Sequence, residues 1–277
     1  MSRGVLLIGH GTRDALGTEQ FFQLAERLAT TLSPLPVAPA LLEFQSPTID
    51  QAWQSLVERD VKHIHVAPLL LFAAGHAKDD IPAVIRGCQS RTPAVTFDQS
   101  MPLSRHRSLV NLVVANLRQT LDRRSLRSPT ALVMVGRGNR DPCAQADMRV
   151  LSQVVAARLD VAATYTAFYA MAEPKLRDVL SHVADRGEFD AIVIHPHLLF
   201  AGRLHDAIGK QVEESAHKFP HISFILAPYL GPVAEVATAI AHRIHGVSGP
   251  DAPTANDYFC PSTRKVGFSA SNRTRSS

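Results

Sequence analysis

Short apolar runs and amphipathic stretches alternate along this chain. Residues 5–8 (VLLI) form a continuous apolar run that stops at a glycine-rich turn, the pattern of a strand buried on both faces of a parallel sheet. Phe21, Phe22, Ala25 and Leu28 then recur at helical spacing. Residues 37–44 read as a second strand, and Ser46-Pro47 as a helix start, with Ser at the N-cap and Pro in the first helical position. A third apolar run covers 64–72, Asp79 or Asp80 opens a short helix around Pro82, and a fourth strand covers 94–97. Leu109, Val110, Leu112, Val113 and Leu117 mark a long helix over 103–123. The series then begins again: strands over 131–135, 163–169, 190–195 and 222–227, and helices over 143–159, 174–185, 204–216 and 232–245. Alternation of this kind predicts an α/β fold with parallel sheets flanked by helices.

The second series is a copy of the first. VLLIGHGTRD (5–14) matches LVMVGRGNRD (132–141), so that Gly9, Gly11, Arg13 and Asp14 meet Gly136, Gly138, Arg140 and Asp141 at an offset of 127. Pro47 meets Pro174 at the same offset, and PLLLFAAGHAKDDI (68–81) resembles HPHLLFAGRLHDAI (195–208), with one residue fewer in the second copy. A period this long exceeds that of any solenoid repeat. It predicts two duplicated domains, each with a four-stranded parallel sheet, at 1–123 and 131–245. Polar residues 124–130 (RSLRSPT) read as a linker, and 246–277, rich in Ser, Pro, Gly and Thr without apolar periodicity, as a disordered tail.

Composition adds bounds. The 277 residues suffice for two cores without disulfides or a structural metal. Cys88, Cys143 and Cys260 are odd in number and distant in sequence, which speaks against a disulfide framework or a cysteine zinc site. No apolar stretch reaches the roughly 18 residues of a membrane span, and the four-residue run near Met1 is too short for a signal peptide. A cytoplasmic location is the expectation. The net charge of +4 does not call for nucleic acid, but it suits an acidic small molecule.

In an open α/β sheet, ligands bind beyond the carboxyl ends of the strands. His10 follows the first strand, Glu43 ends the second and His76 follows the third. Two imidazoles and a carboxylate at one rim make a first shell for a divalent transition metal and supply a proton acceptor. Singly, each has a bland reading: a histidine on a glycine turn as a helix cap, Glu43 as an ion-pair partner, His76 as a loop residue. The second copy weighs against these, because it has Arg137, Ala170 and Arg203 at the three positions while keeping the scaffold glycines. Residues the fold needed would be needed in both copies. One metal site is therefore expected, in the first half. The arginines cannot ligate a metal but can grip carboxylates. If the halves face each other, a cleft between them has a metal wall and a cationic wall.

Other features are weaker. His195, His197 and His205 could form a second metal site, but no carboxylate accompanies them and a structural role is preferred. The turn at Gly9–Gly11 could cradle phosphate, yet it lacks both the P-loop Lys-Ser/Thr and the G-x-G-x-x-G spacing.

GHGTRD (9–14), LLEFQSP (41–47) and PLLLFAAGHAKDDIP (68–82) resemble the signature segments of the sirohydrochlorin chelatases, the class II tetrapyrrole chelatases of corrinoid and sirohaem synthesis. The resemblance spans about residues 4–245, is strongest in the first half, and is to the long, duplicated form. It implies two chelatase-like domains around a central cleft, and ATP-independent insertion of Co²⁺, with Fe²⁺ next, into sirohydrochlorin. It implies His10 and His76 as the metal-handling residues and Glu43 as their acidic partner. Arg13, Lys78, Arg137, Arg140 and Arg203 are the expected partners of the substrate's carboxylates. No cofactor is expected beyond the substrate metal, and neither a nucleic-acid nor a membrane partner. The tail has one Cys and no His after His245, so no iron–sulfur cluster is expected. A monomer with pseudo-twofold halves is the expected state. The alternative of another class is a carrier that binds tetrapyrrole or metal without turnover.

Overall fold

The structure, a computed structural model, describes residues 2–72, 80–123 and 129–246. The first half runs β1 (Arg3–Gly9), α1 (Ala15–Leu32), β2 (Val37–Leu41), α2 (Ile49–Glu58), β3 (His63–Pro68), α3 (Ile81–Arg91), β4 (Thr96–Gln99) and α4 (Arg107–Arg123). The second runs β5 (Thr130–Gly136), α5 (Pro142–Ala156), β6 (Ala163–Phe168), α6 (Leu176–Asp185), β7 (Ala191–Pro196), α7 (Arg203–Lys218), β8 (Ser223–Leu226) and α8 (Ala234–Gly246). Each half has a four-stranded parallel sheet, ordered β2-β1-β3-β4 and β6-β5-β7-β8. In each, the strand order reverses beside the first strand, the switch point at which α/β folds bind ligands.

The sheets are buried on both faces because their strands alternate between two cores. Leu6, Ile8, Ile64 and Val66 pack with Trp53, Leu56 and Ile85 of α2 and α3. Val133, Val135, Ile192 and Ile194 pack likewise with residues of α6 and α7. The opposite faces share one central core. Val5, Leu7, Leu132 and Val193 join Leu24 of α1, Val113 of α4, Leu151 of α5 and Ile240 of α8 there. The result is five layers, with a stratum of helices held between two sheets.

Within that stratum the last helix of each half serves the other half. α8 packs along α1 and reaches β3, whereas α4 packs along α5 and α8. Polar contacts reinforce the exchange. Arg118 of α4 donates to the Arg158 carbonyl at 2.9 Å, and Arg243 of α8 donates to the Leu103 carbonyl at 3.2 Å.

Four local expectations need correction. The second strand ends at Leu41 rather than at residue 44. Beyond it the chain turns: the Gln45 N–H donates to the Glu43 carbonyl at 2.9 Å, and Phe44 has a left-handed φ of 71°, which no strand continues through. The following helix starts at Ile49, not at Ser46-Pro47, whose peptide bond is cis. Thr48 is its cap. The Thr48 hydroxyl accepts from the Gln51 N–H, and the Gln51 side-chain carbonyl accepts from the Thr48 N–H at 2.8 Å, a capping box that satisfies two otherwise orphaned donors. In addition, the fourth strand lies at 96–99 and α4 begins at Arg107, both a few residues later than the apolar pattern indicates.

Candidate functional site

Both halves build the same turn after their first strand. Gly11 has φ +90° and Gly138 φ +85°, and a Cβ on either would collide with a carbonyl oxygen, that of Glu43 or of Ala170. Glycine lets the turn lie against the loop that follows the second strand. Backbone bonds then fix the pair: the Glu43 N–H donates to the His10 carbonyl at 3.1 Å, and the Ala170 N–H to that of Arg137 at 2.8 Å. The remaining motif residues build helix starts. Asp14 caps α1 by accepting from the Gly17 N–H at 2.9 Å, and Asp141 caps α5 by accepting from the Cys143 N–H at 2.9 Å. These roles account for the glycines and aspartates of the repeat without a phosphate.

Between the halves lies a cleft of about 590 Å³. His10, Gly11 and Asp80 line it from the first half, and Arg137, Gly138 and Arg203 from the second. Its surface is mostly apolar, with Phe21, Leu70, Leu71 and Phe72 on one side and Met148, Phe168, Leu198, Leu199 and Phe200 on the other. His10 is half-buried, whereas Arg137 and Arg203 are exposed to the cleft. A flat, anionic, largely apolar molecule would find contact surface, two guanidinium cations and the imidazole of His10 here, with His197 and His205 also in the lining.

The structure thus brings together His10, Arg137 and Arg203. Glu43 lies beside His10 through the backbone, but its side chain is exposed and does not line the cleft. Arg13 sits over the Phe44 ring at 4.9 Å, outside the cleft, and Arg140 is exposed next to the cap Asp141, also outside it. His76 and Lys78 lie outside the described residues. Leu71, Phe72 and Asp80, in the described segments flanking them in sequence, do line the cleft.

His195 and His197 are buried where the halves meet. Their rings are 5.8 Å apart, and His197 lies 5.7 Å from Phe72 of the first half. Burial pushes the His195 imidazole down to about 4, against a partial offset from a backbone bond to Pro228. Burial, with His195 beside it, pushes His197 down to about 3. Both are therefore neutral near pH 7. His205 packs on the Tyr229 ring at 4.9 Å instead, and the three form no three-ligand group among the described residues.

Two features went unread in the sequence. One is the apolar cleft surface, signalled by the tripeptide Leu70-Leu71-Phe72 and its copy Leu198-Leu199-Phe200. The other is a cluster on β3 and β4, His63, His65 and Asp98, whose ligand atoms lie within 4.8 Å of one another. His63 and His65 stand two apart on one strand face, a legible signal, but Asp98 joins them only through strand pairing.

Among families of known proteins, one described as CbiX matches the sequence twice, over residues 4–120 and 131–247. A sirohydrochlorin ferrochelatase of Priestia megaterium is 30% identical over 241 residues, covering 87% of this chain and 88% of its own. A sirohydrochlorin cobaltochelatase of the same organism is 27% identical, covering 87% and 78%. The solved structure of SirB from Bacillus subtilis with Fe³⁺ superposes with a TM-score of 0.79 at 28% identity, covering 88% of this chain and 95% of that one. The sirohydrochlorin chelatase SirB from Bacillus subtilis subspecies spizizenii in complex with cobalt superposes with a TM-score of 0.76 at 26% identity, covering 88% and 94%.

Proposed function

This chain belongs to the CbiX family, and on that premise we propose that it inserts Co²⁺ or Fe²⁺ into sirohydrochlorin without ATP. One observation carries the reading. A half-buried imidazole, His10, and two guanidinium groups, Arg137 and Arg203, line one cleft from different halves. The names of the relatives, which include both an iron and a cobalt chelatase, support the substrate and leave two metals open.

In this reaction the metal is a substrate. His10 and His76 hold it through neutral ring nitrogens, since a protonated imidazole has no lone pair to give. The macrocycle docks with its face on the apolar surface and its acetate and propionate groups toward Arg137 and Arg203, where the planar guanidinium matches a carboxylate. Metal–nitrogen bonds form as the two pyrrole N–H bonds break and the metal leaves the imidazoles. The two protons released pass to the imidazoles that the metal vacates and from them to water, and Glu43, exposed beside His10, relays one of them to solvent. No further cofactor enters, and the chain works as a monomer, because each half supplies one wall of the site.

The test is anaerobic spectrophotometry of sirohydrochlorin with Co²⁺ or Fe²⁺. Wild-type protein is expected to convert the free macrocycle to the metallated form, and His10→Ala to do so at least about 100-fold more slowly with its fold intact. Activity of His10→Ala close to wild type overturns the site.

A further inference from the structure

The cluster at the other end of the first sheet is independent of the cleft. In the parallel register, His63 pairs with Thr96 and His65 with Asp98. His65 also pairs with Val5, whose side chain belongs to the central core, so the cluster lies on the inner face of the sheet, the face that α8 reaches. His10 comes five residues after Val5 along β1, which puts the cluster roughly 16 Å from the cleft rim at about 3.3 Å per residue.

Its polar atoms converge. His65 Nδ1 meets Asp98 Oδ1, and His63 Nε2 lies 3.3 Å from Asp98 Oδ2. His65 is 5% exposed, and its Nε2 is buried without a hydrogen-bond partner. His63 Nδ1 lies 2.8 Å from Thr96 Oγ1. The Thr96 hydroxyl donates to the Lys62 carbonyl at 3.3 Å, so its remaining role toward His63 is to accept, and His63 Nδ1 carries the hydrogen. In neutral His63 the Nε2 lone pair then points at a carboxylate oxygen. Such a contact is repulsive unless a proton or a metal ion stands between the two, and a metal ion there would turn both groups into ligands. The Thr96 contact is of the kind by which an outer-sphere partner fixes the ring and tautomer of a ligating histidine.

The other half supplies the control. The positions equivalent to His63, His65 and Asp98 are Ala191, Val193 and Ile225, and Val193 and Ile225 lie in the core. The fold thus closes with apolar residues at this place, and the polar set in the first half answers to something else.

We propose that His63, His65 and Asp98 form a second metal site, which takes a divalent first-row transition ion through His63 Nε2, His65 Nδ1 and Asp98. Two imidazoles and one carboxylate suit Zn²⁺, Co²⁺ or Fe²⁺. His63 and Asp98 are partly exposed, which leaves room for water to complete the coordination. The ion ties the edge strand β4 to β3 and is held apart from the cleft.

Co²⁺ serves as the probe, by equilibrium dialysis and by its visible absorption bands, on the full chain. Three proteins are compared: wild type, the cleft variant His10→Ala/His76→Ala, and the variant His63→Ala/His65→Val/Asp98→Ile, which carries the residues with which the second half folds. The cleft variant is expected to keep one Co²⁺ and its bands. The strand variant should lose one equivalent relative to wild type while its melting temperature without metal is maintained or raised. Thr96→Val should weaken Co²⁺ binding to the cleft variant about 10-fold. A folded cleft variant that binds no Co²⁺, or a strand variant with wild-type stoichiometry and affinity, overturns the proposal. Neither result depends on whether the cleft inserts metal.

Discussion

His10 and Arg137 occupy the same turn of the same fold, each after the first strand of its sheet, each bonded through its carbonyl to the loop after the second. Around them the two halves agree in what shapes the backbone: Gly11 and Gly138, caps Asp14 and Asp141, left-handed Phe44 and Met171. They disagree in what could bind a ligand. His10 stands against Arg137, Glu43 against Ala170, His63 and His65 against Ala191 and Val193. A duplicated chain carries its own control, since a feature needed for folding recurs and a feature needed for chemistry can be confined to one copy.

The comparison breaks most sharply at the glycines. Gly11→Ala and Gly138→Ala should each destabilise the protein by about 3 kcal/mol, because each forces a positive φ and a Cβ collision with a carbonyl. Urea denaturation of the two variants measures this. A large loss at one site and none at the other would show that the halves do not share the constraint.

Next is the acid limb of stability. The imidazoles of His195 and His197 titrate at about 4 and about 3 when folded, against roughly 6.5 unfolded. Between these values the unfolded chain binds more protons, so stability is full above about pH 6.5 and falls as pH drops toward the folded values. The first half has Ala67 and Leu69 at these positions, which do not titrate. His197→Leu should therefore remove about half of the loss between pH 6.5 and 4. Chemical denaturation across that range checks it, and an unchanged slope would contradict the burial argument.

A cleft with unlike walls predicts unlike kinetics. Arg203→Ala should raise the KM for sirohydrochlorin about 10-fold with less effect on kcat, as expected when a contact binds ground and transition states alike. An unchanged KM would remove Arg203 from the cationic wall.

The smallest effect concerns caps. α2 has the Thr48 capping box, whereas α6 has Lys175 at its N-cap and no side-chain cap bond. Thr48→Ala should cost about 1 kcal/mol and Lys175→Thr should gain a similar amount or less, readable as opposite shifts in melting temperature.

The strands, the repeat and the polar difference between the copies were legible, because hydrophobic period and glycine spacing are local properties. Thr48-Ile-Asp-Gln51 fits the capping-box pattern, but Ser46-Pro47, which reads as the helix start, competes with it two residues earlier. The exchange of α4 and α8 was not. Amphipathic spacing such as that of Leu109, Val113 and Leu117 says which face of a helix is buried, not which half buries it. Asp98 was hidden for a related reason. Its partnership with His65 is a register between strands, and nothing local in TFDQ announces it. Glu43 marks the limit of reasoning by strand ends. It lies two residues beyond Leu41, and the turn at Phe44 leaves its carboxylate exposed rather than lining the cleft.

The division of labour between the halves can be tested by one measurement, the kcat for Co²⁺ insertion into saturating sirohydrochlorin, taken for His10→Ala and for Arg137→Ala/Arg203→Ala. The account predicts that kcat collapses by about 100-fold or more in the first variant, while the second keeps most of its kcat and has a raised KM. Equal kcat losses in both, or a His10→Ala variant as fast as wild type, would contradict it.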